Sequence, residues 1–175
     1  MWLPLIAFVL SFLGVYFLKK YALRLKIVAI PNERSLHNKV TPRGGGVIIA
    51  IIFLAFILVF YITRQIMVAE FLVLFGGGLI MAVTGFLDDI LELKASIRFI
   101  IQFFAVGWGI YWIGGIPSTV FFERLPVLYA IANAVAVVAL VWFINSFNFI
   151  DGIDGLATSG ATFFSLSIGG YFLWL

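Results

Sequence analysis

Six apolar runs, roughly 2–18, 45–63, 71–87, 97–113, 127–144 and 156–175, alternate with short polar segments along the chain. Each is close to the length of about 20 residues that an α-helix needs to cross the hydrocarbon core of a bilayer. Inside lipid every backbone N–H and C=O must find its partner within the protein, and an open sheet would leave edges unpaired. The runs therefore predict helices. Composition points the same way: 64% of residues are hydrophobic and 11% are charged, too few to clothe a water-soluble core. The expected fold class is all-α, a single polytopic transmembrane helical bundle over residues 1–175 with about six spans. Residues 3–18 have the length of a signal peptide. They lack a basic segment before and a small-residue cleavage site after, so they read as a retained helix.

The eleven basic residues give an orientation. The first loop carries Lys19, Lys20, Arg24, Lys26, Arg34, Lys39 and Arg43, and the third carries Lys94 and Arg98. The second and fourth loops hold only Arg64 and Arg124. Positive charge accumulates on cytoplasmic loops, so the first, third and fifth loops are expected to be cytoplasmic and the amino terminus periplasmic. The net charge of +3 is no nucleic-acid footprint, because the basic residues cluster in one loop. All three unusual polar stretches fall on the predicted inner side: "PNERSLHNKVTPRGGG", "GFLDDILELKASIRFIIQ" and "NSFNFIDGIDGLA". Three loops on one face can converge on one site at the membrane surface.

Each stretch reads in two ways. Asp88 and Asp89 close a membrane run, where adjacent carboxylates repel and a buried charge costs about 2.5–3.5 kcal/mol or more. A divalent cation such as Mg2+, which prefers carboxylate and phosphate oxygens, offsets both penalties. Alternatively, the pair caps the start of the following helix. Asn145, Asn148, Asp151 and Asp154 recur every third residue. They fan over half of an α-helix or nearly eclipse on a 3₁₀ segment, and a ligand site explains the two acids better than a polar helix end does. In loop one, Lys39, Arg43 and the N–H groups of Gly44 to Gly46 suit phosphate oxygens where a helix begins, whereas the earlier basic residues suit anionic headgroups. His37 is the only histidine and reads more readily as a hydrogen-bonding residue than as a base. Arg98 and Gln102 share one helical face, aimed at the pocket or at a neighbouring helix. Gly76 to Gly78, in mid-span, suit close helix packing.

Together the three stretches resemble the polyprenyl-phosphate N-acetylhexosamine-1-phosphate transferases. "PNERSLHNKVTPRGGG" is similar to the family's first cytoplasmic loop, "GFLDDILELKASIRFIIQ" to its aspartate-pair segment, and "NSFNFIDGIDGLA" to its Asn-x-x-Asn-x-x-Asp-Gly-x-Asp-Gly segment. "PRGGG" and "NFIDGIDGLA" lean towards the branch that starts O-antigen synthesis. Family members have ten or eleven spans, and a Met-Gly-Asp segment and a histidine-rich motif of their later loops have no counterpart here. The chain is thus expected to be the amino-terminal half of such an enzyme.

The resemblance implies transfer of N-acetylhexosamine-1-phosphate from a UDP-N-acetylhexosamine to undecaprenyl phosphate, with release of UMP, to start a lipid-linked glycan in the bacterial inner membrane. It implies Mg2+, with Mn2+ as an alternative, at Asp88, Asp89 and Asp151. It gives catalytic roles to Asp88, Asp89, Asp151 and Asp154. Substrate binding falls to Lys39, Arg43, Asn145, Asn148 and Arg98. The implied partners are the two substrates and the lipid bilayer, a homodimer is one implied assembly, and nucleic acid is not a partner. Competing readings are a non-catalytic fragment or assembly partner of such an enzyme, an intramembrane prenyltransferase, and a transporter. A transporter predicts mid-span polar residues and inverted repeats, which the sequence lacks.

Overall fold

The computed structural model describes residues 2–25, 28–29, 41–42, 45–117, 125–150 and 156–174. Helices dominate: α1 (Leu3–Leu25), α2 (Gly45–Ile62), α3 (Val68–Phe71), α4 (Gly78–Leu91), α5 (Ala95–Ile113), α6 (Pro126–Ile150) and α7 (Leu156–Trp174). A π-helical segment, Leu72–Gly77, joins α3 to α4. The all-α expectation holds apart from one short antiparallel ladder, β1 (Val28–Ala29) with β2 (Thr41–Pro42), in which Val28 faces Pro42 and Ala29 faces Thr41. It lays the two stems of the first loop side by side.

Five stretches among the described residues are long and apolar enough to cross a membrane: Leu3–Tyr21, Gly45–Ile62, Val68–Leu91, Ala95–Ile113 and Pro126–Phe149. All five coincide with runs expected from the sequence. The sixth run is likewise a helix, Leu156–Trp174, of 19 residues, and it carries Thr158, Ser159, Thr162, Ser165 and Ser167. The hydroxyls of Ser159 and Thr162 donate to the carbonyls of Leu156 and Thr158 at 2.9 and 2.8 Å, a local bond that satisfies a hydroxyl within its own helix.

The chain divides into two compact units, Met1–Val137 and Val138–Leu175. In the first, α1 packs on α2, α2 packs on the π-helical segment and α4, and α5 packs on both of these. Lipid supplies no hydrophobic drive between helices, so close approach depends on small residues. A Cβ on Gly14 of α1 would collide with Ile48 of α2, and one on Gly78 would stand 3.3 Å from the Phe53 ring. A Cβ on Gly76 would stand 2.9 Å from Nε1 of Trp108. The packing role expected for the mid-span glycines is thus met at Gly76 and Gly78. The space left by Gly76 admits the Trp108 indole, whose N–H donates to the Leu72 carbonyl at 2.8 Å. The widened π turn disturbs the regular i to i−4 ladder, and the neighbouring helix supplies a donor to it.

Little apolar surface is hidden. Ile57, Ala105 and Val141 are the buried hydrophobic residues among those described, whereas Ile100 and Trp142 are each 70% exposed. Apolar surface this continuous would aggregate in water and is solvated by hydrocarbon.

At the far end of α5 the chain turns through Gly114 and Gly115, both left-handed at φ +86° and +90°, a conformation that glycine adopts without penalty. Asn133 of α6 clasps this turn: its Oδ1 accepts the Ile116 N–H at 2.9 Å, and its Nδ2 donates to the Tyr129 carbonyl at 2.9 Å. The Tyr129 hydroxyl lies 3.1 and 3.0 Å from the carbonyls of Gly114 and Ile116. A Cβ on Gly115 would strike that hydroxyl. Gly115→Ala is therefore expected to cost about 1–3 kcal/mol, and Trp108→Phe about 1 kcal/mol. Thermal unfolding in lipid nanodiscs measures both, and an undiminished midpoint for Gly115→Ala would contradict the clasp.

Candidate active site at the paired ends of two helices

The site begins with a tight reversal. α4 continues through Asp88 and Asp89 to Leu91, and Glu92 then turns left-handed at φ +49° with its N–H bonded to the Asp88 carbonyl at 3.0 Å. That αL residue stops the helix. Leu93 and Lys94 complete the connector, and α5 starts at Ala95. The aspartate pair therefore lies in the last turn of α4 and not at the start of the next helix, which corrects the capping alternative.

This position is electrostatically adverse. The carbonyl end of a helix repels carboxylates and its amino end repels cations. Asp88 and Asp89 sit at a carbonyl end whose last turn holds no basic residue, and Arg98 sits in the opening of α5, whose first turn holds no acidic one. The charges answer each other across the hairpin instead. Arg98 Nη1 donates to Asp88 Oδ2 at 2.8 Å, with the side chains 32% and 27% exposed. Of the two options for Arg98 in the sequence, the structure shows both: it pairs with a neighbouring helix and it lines the cleft.

Asp88, Asp89, Glu92, Leu93 and Arg98 enclose an open cleft of about 250 Å³. Three carboxylates face one guanidinium, so the lining is net acidic. Glu92 was missed by the sequence reading, although it stands one helical turn beyond Asp88. One turn inward from the ion pair, on the same faces of α4 and α5, Thr84 and Gln102 are buried at 7% and 6% exposure. The Thr84 hydroxyl donates to the Ile80 carbonyl at 2.7 Å. A polar column thus runs between α4 and α5 from the cleft towards mid-membrane.

Among the described residues no group of three His, Asp or Glu side chains is arranged to hold a metal ion. Magnesium does not need three. It keeps several waters and binds through one or two carboxylates plus substrate phosphates, and Asp88 and Asp89 offer that donor set on one cleft. The other expected residues separate into two groups. Asn145 and Asn148 belong to the last turns of α6, in the unit Val138–Leu175. These two lie on an α-helix, not a 3₁₀ segment; Asn145 is half-buried, with Nδ2 donating to the Val141 carbonyl at 2.8 Å, and Asn148 is exposed. Lys39, Arg43, His37, Asp151 and Asp154 lie outside the described residues.

Membrane-length helices with an acidic cleft at the end of one helical pair define a multi-pass membrane protein with a polar site at its helix ends. Residues 71–175 match the family described as glycosyl transferase family 4, a stretch that includes the α4–α5 hairpin and the Asn/Asp segment. A decaprenyl-phosphate N-acetylglucosaminephosphotransferase of Mycolicibacterium smegmatis is 31% identical over 94% of this chain and 43% of its own length. A probable undecaprenyl-phosphate N-acetylglucosaminyl 1-phosphate transferase of Bacillus subtilis is 32% identical over 87% of the chain and 43% of its own length. An undecaprenyl-phosphate alpha-N-acetylglucosaminyl 1-phosphate transferase of Yersinia pestis is 31% identical over 85% and 40%. The chain belongs to glycosyl transferase family 4. It spans less than half the length of these relatives, and no solved structure matches it. Membership sets aside the prenyltransferase and transporter readings.

An ion pair about one-third exposed contributes at most about 1 kcal/mol, and the α4 dipole opposes Asp88 in any case. Asp88→Ala is therefore expected to change the unfolding free energy by less than about 1 kcal/mol. Denaturant or thermal titration in nanodiscs tests this. A loss of several kcal/mol would make Asp88 a structural residue.

Proposed function

We propose that this chain carries the aspartate-bearing part of an enzyme that transfers N-acetylglucosamine-1-phosphate from its UDP-sugar to a polyprenyl phosphate, releasing UMP. The observation that carries the reading is the carboxylate–guanidinium cleft at the end of α4 and α5, whose charges serve neither helix. The sugar follows the names of the relatives, and undecaprenyl phosphate is the acceptor expected in the bacterial inner membrane. Its product would start an O-antigen or cell-wall polymer.

The acceptor is held in the bilayer and the donor arrives from water, so the reacting phosphates must meet at a helix end. An oxygen of the lipid phosphate forms a bond to the phosphorus bearing the sugar, and the bond from that phosphorus to the UMP oxygen breaks. Such a transfer depends on positioning and on neutralising charge. One of Asp88 and Asp89 would hold Mg2+, with Mn2+ as a substitute; the other would orient the lipid phosphate or take its proton. Bound there, the metal would neutralise charge on the diphosphate as UMP departs. Arg98, Lys39 and Arg43 would bind phosphate oxygens, the planar guanidinium groups with two donors each. Asp151 and Asp154, with Asn145 and Asn148, would position the nucleotide sugar, Asp151 also as a metal ligand.

The reading puts the α4–α5 connector in the cytoplasm. The sequence has no cysteine, so single cysteines report the sidedness. Lys94→Cys should react with a membrane-impermeant maleimide only from the cytoplasmic face, and Gln65→Cys only from the opposite face. The reverse pattern would place the cleft on the wrong side for a nucleotide donor. In the full-length enzyme, Asp88→Asn and Asp151→Asn should each reduce metal-dependent UMP release by at least about a hundredfold. Near-normal turnover by a correctly inserted variant would remove that residue from the mechanism.

A further inference from the structure

We propose that Arg98 is the resident counter-ion of Asp88, and that a divalent cation must displace it, so that metal binding is the event that delivers Arg98 to phosphate. The inference rests on the function proposed above.

The argument starts from competition for one group of atoms. Asp88 Oδ2 accepts the Arg98 Nη1–H at 2.8 Å, so a cation approaching that oxygen meets a guanidinium already in place. The pair is not a fixture of helix stability. An aspartate at the end of α4 and an arginine at the opening of α5 each oppose their own helix dipole. Their attraction is also weakened by water, since each side chain is about one-third exposed. Arg98 can therefore leave without the collapse that follows when a buried pair is broken.

The surroundings favour exchange over simple loss. Glu92 lines the same cleft, so acidic charge remains to attract a cation while Arg98 still neutralises Asp88. Once released, Arg98 stays anchored in the opening turn of α5, at the mouth of the cleft. A planar guanidinium with five donors then faces a site where a diphosphate would lie. The α5 helix is fixed beneath it by the Trp108 bond to Leu72, so the exchange is confined to side chains. The consequence is thermodynamic. Metal and diphosphate each bind better in the presence of the other by more than direct chelation accounts for, because one removes a competitor that the other then uses.

The test uses the full-length protein in nanodiscs and Mn2+ as probe, read by the loss of the free-ion electron paramagnetic resonance signal, with no nucleotide or lipid acceptor present. Arg98→Gln should bind Mn2+ about three- to fivefold more tightly than the wild type. Arg98→Lys, which keeps the charge but loses the planar fork, should fall between the two. With inorganic pyrophosphate added, the mutual tightening of Mn2+ and pyrophosphate should be larger in the wild type than in Arg98→Gln. An unchanged or weaker Mn2+ affinity in Arg98→Gln overturns the exchange. If that variant does not insert, Arg98→Lys decides by the same comparison. Asp88→Asn separates this from the underlying reading: loss of Mn2+ binding there with no change in the Arg98 variants defeats only the exchange, whereas full Mn2+ binding in Asp88→Asn defeats the assignment of Asp88 to the metal.

Discussion

Hydrocarbon offers no hydrogen-bond partner, and the rest of this structure follows from that. Backbone groups close on themselves in helices, and the places where they do not are met one by one. Trp108 reaches the carbonyl of Leu72 beside the widened turn. Asn133 and Tyr129 tie the left-handed turn after α5. Thr84, Ser159 and Thr162 return their hydroxyls to their own helices. Formal charge is pushed to the helix ends. There it can be half-solvated, and the α4–α5 hairpin holds acid and base within one bond of each other.

The broad architecture was legible because its cause is one-dimensional. Run length and hydropathy alone select a membrane helix, so α1, α2, α5 and the α3–α4 span lie where the apolar runs predict. The sixth run is helical as expected. Ends were less legible. α6 continues through Asn145 and Asn148 to Ile150, since asparagine lowers helix propensity only slightly once a long helix is already propagating. The ladder between Val28–Ala29 and Thr41–Pro42 was invisible because two-residue pairing leaves no periodic signal.

The site was legible in its chemistry and less so in its pairing. The aspartates and Arg98 could be picked out as residue types that membranes tolerate only for a reason. That Asp88 pairs with Arg98 depends on how α4 packs against α5, where the Trp108 indole fills the space left by Gly76. Glu92 escaped notice because it looked like ordinary loop charge. Its part in the cleft comes from the left-handed turn that ends α4, a conformation for which glutamate gives no sequence signal.

The wide turn at Leu72–Gly77 reaches further than its own six residues. A π insertion adds one residue to a helix, and one residue is about 100° of rotation. Everything downstream on the same rod inherits that phase, Thr84 and Asp88 included. With a regular α-helical turn in its place, α4 would present a different azimuth to α5, and the carboxylate that now meets Arg98 would be turned by about 100°. The acidic cleft is thus aimed by a backbone irregularity about three turns away, in a segment that itself holds no charged residue.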